Sequence, residues 1–473
     1  MLPLWTVAVV VALTVMPVQL TATTSLGTPG TPVSPTPIPG IVHAFSSLTV
    51  GASVGTHYPS PFFAISYGES GISPVIHANQ GFFYNSTPIT WYRLSGGGDG
   101  YDPTVITNWV PPASGSGRYV GQVGQLVNFS AFQAWCYSRT PHCQWMSYLP
   151  GELNNTTAAL HYASWYHKVL GFAPTLWQFG NEPTAWVHYG INQSSWRTTD
   201  NSTPTNEDYA IMVKNYIVAV SAVYPHDKFV GVEAACACDP TFLTAVAATD
   251  GPKVTALAYH EFPSANASTT SLAQFYGSLV SRSNILNTSA NFRSIVGPAC
   301  GPCARLPVQI GAYQAGPSGN LSPLANTYAG APYAAASVIE ALDANISMFT
   351  MFQSNSLYNA SSGTIFPQGY LYQRILSNLT MGTDYPVTFS VHSVGGLFGI
   401  EIKNGTRTSL FLVNTNVSLA VGISLTSLVF PVGLTGTEFA WSPTTTTPVA
   451  RSSVLIPKYF VLPAQGIVLL NNY

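Results

Sequence analysis

The first place in this 473-residue chain with the makings of chemistry is a short apolar run that ends in a turn, Trp177-Gln178-Phe179-Gly180-Asn181-Glu182-Pro183. The glycine permits a bend and the proline blocks continuation of the strand, so a carboxyl (Glu182) and an amide (Asn181) project together from its end. A carboxyl held in this way can give and take a proton. Glu261, in Ala258-Tyr259-His260-Glu261-Phe262, is the second acidic candidate, and His260 beside it could orient a carboxylate or a hydroxyl. Glu233, after Phe229-Val230-Gly231-Val232, is a third. Arg93 supplies a positive charge that would pair with carboxylates at the floor of such a site and keep one of them ionised. Tyr259, Tyr313, Trp177 and Gln353 are candidates to line a ligand cleft, although aromatic residues equally fill cores. Asp99 and Asp102 stand in a glycine-rich run, 96–102, that has neither the Lys-Ser/Thr ending nor the following helix of a phosphate loop.

These residues need a scaffold that brings them together. Between Phe62 and Leu376 eight β-type runs alternate with helical stretches: 62–67, 89–94, 144–149, 175–179, 229–232, 254–259, 308–311 and 346–352. Helices are expected at 157–170, 206–224, 272–286 and 333–342, the second opening on Asn206-Glu207-Asp208 as its cap and first turn. The alternation predicts an α/β fold, a (β/α)₈ TIM barrel, whose functional groups stand at the carboxyl ends of the strands. That rule narrows 18 acidic residues to the few named above. From Val387 to Tyr473 the pattern changes to period-two strands and glycine turns, which predicts a C-terminal antiparallel β-sandwich. The expected boundaries are 41–55 for a strand that joins the sandwich, 56–384 for the barrel and 385–473 for the sandwich.

Composition limits the partners. Only 7% of residues are charged, against about 25% in an ordinary soluble domain, while the hydrophobic fraction of 46% is normal. A formal net charge of −2 gives no footprint for nucleic acid or an anionic membrane. So sparse a set of ionisable groups is expected where ionisation is unreliable, as in acid. No charged side chain precedes Glu69, and the apolar run Leu2 to Leu20 reads as a signal peptide or a membrane anchor occupying 1–22. A Thr/Pro/Ser/Gly linker, 23–40, follows and cannot form a core. Asn-x-Ser/Thr sequons recur from Asn85 to Asn416 and favour a glycosylated, secreted or cell-surface protein. The cysteines fall in close pairs, Cys136/Cys143, Cys236/Cys238 and Cys300/Cys303. Local disulfides are the expectation for an exported chain, with longer-range pairing open for Cys236 and Cys238. Zinc is the sharper alternative, but no finger spacing surrounds the pairs.

The segment Trp177 to Pro183 looks like the fourth-strand motif of the large glycosidase clan built on this barrel. More narrowly, the chain resembles the heparanase and β-glucuronidase family. Tyr92-Arg93-Leu94-Ser95-Gly96-Gly97 is similar to its second-strand segment, and Phe63 to Tyr67 to its first. Ala258 to Phe262 and Gln309-Ile310-Gly311-Ala312 stand where its sixth and seventh strands are expected. The resemblance extends over residues 55–473 and implies two carboxyls about 5 Å apart, one an acid/base and one a nucleophile. It implies that Glu182 is the acid/base. The nucleophile should follow Gly311, but that residue is Ala312, and Leu306 to Asn320 holds no acid. Where the family carries a sixth-strand tyrosine this chain has Glu261, and Tyr313 stands beside Ala312, so the pair reads as exchanged between neighbouring strands. Glu261 is then expected to be a relocated nucleophile or a base for inversion; otherwise it is a polar rim residue or is paired with Arg93 or His260. The expected activity is hydrolysis of an extracellular polysaccharide or glycan, with Asn181, His260, Arg93, Tyr313, Tyr259 and Gln353 about the sugar and no metal or organic cofactor implied. A carbohydrate-binding protein on a disabled scaffold and a cell-surface glycoprotein are the alternatives. The sequence is silent on oligomeric state.

Overall fold

A computed structural model describes residues 44–57, 62–67, 84–94, 118–120, 126–139, 142–149, 151, 154–180, 182–185, 205–262, 271–280, 284–314, 322–352, 357–359, 362–390, 396–425, 433, 435–456 and 458–473. The N-terminal apolar run, the linker, Asp99 and Asp102 lie outside them, and so do Asn181 and Gln353.

Eight parallel strands form the barrel: Phe63–Tyr67, Trp91–Leu94, Gln144–Leu149, Leu176–Phe179, Val230–Ala234, Ala256–Glu261, Val308–Tyr313 and Ile346–Phe352, here called strands one to eight. Each pairs with its neighbour in order, and strand eight returns to strand one. Among the described residues, strands four and five meet through one parallel bridge, Trp177 to Phe229, where the Trp177 N–H donates to the Lys228 carbonyl at 2.8 Å. The ring is thereby closed.

Side chains alternate across each strand, and the alternation sorts them into two cores. Inward residues Ala64, Trp91, Met146, Leu176, Val230, Ala256, Ala258 and Met348 form an apolar plug inside the barrel. Their outward neighbours, such as Ile65, Tyr92, Trp145, Trp177, Leu257 and Phe349, join the larger core under the helices. The helix Asn206–Val223 begins with a capping box in which Thr205 and Asp208 satisfy one another's backbone N–H groups. Helices at Phe129–Ser138, Pro240–Asp250 and Ile285–Ala299 were not foreseen. The last carries Asn, Thr and Ser early and Pro298 near its end, which weakens any helical signal in the sequence. The cysteines lie in three local disulfides, Cys136–Cys143, Cys236–Cys238 and Cys300–Cys303.

Beyond the barrel, strands from Thr383 onward form a second, mostly antiparallel sheet with Ala44–Val50 built into it. It curls around its own core, which contains Leu410, Leu412, Val468 and Leu470. The alternate residues Phe411, Val413, Ile467 and Leu469 face the other way and belong to the barrel's outer core. Helix Gly330–Asp343 is buried from Gly330 through Leu342, packed against strand eight and the sandwich sheet. The fold is therefore a (β/α)₈ barrel with a β-sandwich attached along one continuous apolar seam.

Candidate active site

Above the apolar plug, toward the carboxyl ends of the strands, the inward positions turn polar. Ser66, Arg93 and Gln178 stand on strands one, two and four, and His260 on strand six. Each is two residues beyond a plug residue of its strand, so the period of two that buries Ala64, Trp91, Leu176 and Ala258 also aims these four into the mouth.

Arg93 is the hub. Its Nε donates to Gln178 Oε1 at 3.1 Å and its Nη1 to Ser66 Oγ at 3.1 Å, while the guanidinium lies 4.9 Å from the centre of the Tyr148 ring. Its Nη2 donates to Glu233 Oε1 at 2.8 Å. Glu233 Oε2 accepts from Gln178 Nε2 at 2.7 Å. The His260 imidazole joins the two glutamates, with Nε2 2.7 Å from Glu233 Oε1 and Nδ1 2.6 Å from Glu182 Oε1. Arg93, Glu182, Glu233 and His260 are all nine-tenths or more buried. Burial and the Arg93 charge push the His260 imidazole down, but the hydrogen bond and charge of Glu182 and the hydrogen bond to Glu233 outweigh them and hold it above its ordinary value. Charges taken this far from water are tolerated only in balanced, hydrogen-bonded sets. Two carboxylates against a guanidinium and an imidazolium make such a set.

The glutamates reach the mouth by distorted backbone. Glu182 follows strand four with φ +50°, and Glu233 sits within strand five with φ +39°. Counting by twos from inward Val230 would turn Glu233 outward. The pairing of strands five and six slips between Leu257 and Tyr259, and that irregularity, with the left-handed residue, rotates Glu233 inward. Its carboxyl comes to rest beside strand seven at Gly311, where a Cβ would collide with Glu233 Oε1 and lie 3.1 Å from His260 Nε2. Gly311 is the vacancy that accommodates it.

Glu182, His260 and Arg93 are thus brought together as the sequence suggested. Glu261, Tyr259 and Tyr313 are not. Since His260 points inward, its neighbours Tyr259 and Glu261 point outward, beneath the helices. Glu261 bonds to Thr288 on helix Ile285–Ala299, and burial pushes its carboxyl up to about 8, with the Thr288 bond opposing. Tyr259 packs on Phe292 of the same helix at 5.0 Å between ring centres. The Tyr313 hydroxyl bonds to Ser337 on helix Gly330–Asp343. Glu261 on strand six and Tyr313 on strand seven both stand in the wall behind the barrel, so the expected exchange brings no carboxylate into the mouth. Trp177 also faces outward and donates through Nε1 to Asp227 at 2.8 Å. Glu233, set third by the sequence, is the acid that shares the mouth with Glu182.

No family model matches the chain, and no curated protein matches it in sequence. Solved structures do. A family 51 α-L-arabinofuranosidase from Bifidobacterium longum superposes with a TM-score of 0.67 at 13% identity, covering 90% of this chain and 99% of that one. An α-L-arabinofuranosidase from Thermotoga maritima gives 0.66 at 11% identity, with coverage of 90% and 99%. A 4-O-α-L-rhamnosyl-β-D-glucuronidase from Fusarium oxysporum gives 0.59 at 12% identity, again with 90% and 99%. The likeness extends over barrel and sandwich together and shows a fold that glycoside hydrolases use.

Proposed function

We propose that this chain is a glycoside hydrolase that acts outside the cell on a polysaccharide or glycan, with Glu182 as its acid/base. The observation that carries the reading is the buried row Glu182–His260–Glu233–Arg93 at the carboxyl-end mouth of the barrel. Glycoside hydrolysis needs a carboxyl that protonates the leaving oxygen, and a second negative charge against the cation that develops at the anomeric carbon. Glu182 suits the first task, being the outermost acid of the row. Glu233 takes the second in place of Glu261. The resemblance to the heparanase and β-glucuronidase family, with Ala312 where that family has its nucleophile, is part of the proposal, and the neighbour named as a β-D-glucuronidase accords with it. Action outside the cell is supported by the apolar N-terminal run, the sequons and the three disulfides.

Aryl glycosides with good and poor leaving groups test the assignment of Glu182. An enzyme without its acid still cleaves an activated aglycone but fails on a poor one. Glu182→Gln is accordingly expected to lose about 10²–10⁴-fold on poor leaving groups and far less on dinitrophenyl glycosides. Equal losses on both would remove Glu182 from that role.

One observation favours a second reading, a carbohydrate-binding protein. Strand seven, Val308–Tyr313, offers no carboxylate, and both oxygens of Glu233 are engaged by Arg93, His260 and Gln178. In that case the wild type binds sugars in a calorimeter and turns none of them over.

A further inference from the structure

Counting hydrogens along the row restricts where its protons can rest. Nδ1 of His260 lies 2.6 Å from Glu182 Oε1 and Nε2 lies 2.7 Å from Glu233 Oε1. Each bond needs one hydrogen, and a neutral imidazole carries only one. On the Glu233 side the acceptor is fixed. Oε1 also receives Arg93 Nη2 at 2.8 Å, and Oε2 receives Gln178 at 2.7 Å. Arg93 Nη2 stands 3.1 Å from Nε2 as well, but both nitrogens lie closer to Oε1 than to one another, so they converge on it as two donors and the hydrogen between Oε1 and the ring is carried by Nε2. Nδ1 is then the atom whose protonation varies, and the hydrogen between it and Glu182 can belong to either partner. His260 is 2% exposed and Glu182 3%, so bulk water does not compete for that hydrogen.

On the premise that Glu182 is the acid/base, we propose that His260 is a positioning residue that shares the catalytic proton with it, through an Nδ1 whose tautomer is fixed by Glu233 and Arg93. With the proton on Glu182, the carboxyl can pass it to a leaving oxygen. The bond from the anomeric carbon to that oxygen breaks, its electron pair departs with the oxygen, and the proton completes the alcohol. Glu182 is left as a carboxylate facing the bare lone pair of Nδ1. Repulsion between the two makes Glu182 a stronger base toward the incoming water, whose oxygen forms the new bond to the anomeric carbon, and the proton Glu182 removes from that water refills the hydrogen bond to Nδ1. Glu233 and Arg93 transfer no proton; they hold the ring.

The test uses the full chain labelled with ¹⁵N-histidine, the His260 signals being identified by their loss in His260→Gln. In the wild type Nε2 is expected to stay protonated from acid to mildly alkaline pH while Nδ1 titrates. In Glu182→Gln, His260 is expected to lose its doubly protonated state at neutral pH. A hydrogen that stays on Nδ1 at every pH in both proteins overturns the proposal. A second arm compares pH profiles of kcat/KM: in His260→Gln the alkaline limb is expected to move by about one pH unit or more, with about 10–100-fold loss confined to poor leaving groups. Superimposable profiles for wild type and variant also overturn it. The spectra need no substrate, so the two ideas fail separately. A shared proton in a chain that hydrolyses no glycoside would sink the hydrolase reading and support the proton's placement; turnover with an unshared proton would sink the placement alone.

Discussion

Glu182 and Glu233 are two of the few non-glycine residues, among those described, with left-handed backbone, a conformation that costs about 1–3 kcal/mol and survives only where the surroundings over-determine it. Here the surroundings are Arg93, Gln178 and His260, and the cost is offset by the charge-balanced row they complete. Glu233→Gln is therefore expected to remove the carboxylate that pairs with buried Arg93, to lower stability by about 3–5 kcal/mol in chemical denaturation, and to abolish turnover. Glu261 lies outside this economy of charge. Its carboxyl is pushed up to about 8 by burial, and it faces Thr288 and, on the neighbouring helix, Glu340, itself pushed up to about 8 by burial despite the Ile285 N–H. Around them stand Tyr259, Tyr313, Tyr333, Asp343 and Arg293, and for both carboxyls burial is the largest influence. A carboxyl that keeps its proton when folded and releases it when unfolded favours the unfolded chain as pH rises above about 4.5. Glu261→Gln, which mimics the neutral form, should match the wild type near pH 4, exceed it by about 1–3 kcal/mol near pH 7, and leave kcat unchanged. Equal stability at both pH values would show that Glu261 is not held neutral.

At the scale of the strand, the site depends on one small residue in strand seven. Gly311→Ala places a methyl group against Glu233 Oε1 and His260 Nε2, so it should cost about 1–3 kcal/mol and depress turnover, while Gly297→Ala, half-buried on helix Ile285–Ala299 with the added methyl in ordinary contact with Ala304 at 3.6 Å, should do neither. A thermal melt and an aryl-glycoside assay on the pair check this. The eight strands were legible because each is a short β-branched or aromatic run with a turn after it, and the inward direction of Arg93 and His260 follows from alternation. That same alternation, applied strictly to Tyr259-His260-Glu261, puts Glu261 and His260 on opposite faces, and pairing both with one cleft overlooked it. Glu233 was hidden for the converse reason. Strict alternation turns it away from the mouth, and only the irregular pairing of strands five and six reverses it, a feature that depends on contacts remote in sequence. The helix Ile285–Ala299, polar at its start and interrupted by Pro298, holds its place through buried Ile285, Phe292 and Val296, which local propensity does not reveal.

For the whole molecule, the buried acids sum to a single tendency. Burial pushes Asp250 up to about 8 as well, with Lys214 and Lys253 opposing, and it raises Asp343 and Asp384. In each case the folded chain holds a proton that the unfolded chain gives up, so stability is present at acid pH and declines through the range from about 4 to about 8. The melting temperature is expected to be higher at pH 4–5 than at pH 8, in keeping with a sequence so poor in charge; a maximum near pH 8 would contradict this. The seam between barrel and sandwich makes the two inseparable. Helix Gly330–Asp343 has almost no solvent face, and Tyr328 ties to Gln465 through its hydroxyl at 2.7 Å, so a chain truncated after the barrel should aggregate rather than fold. The ring's own closure is less even. Among the described residues, strands four and five touch at one bridge while the other neighbours share ladders, and the two glutamates sit on opposite sides of that joint. Breathing there would alter the gap between the acids without disturbing either strand, so amide exchange should be quickest along this edge of the ring, and a sugar seated across it would act as a rivet.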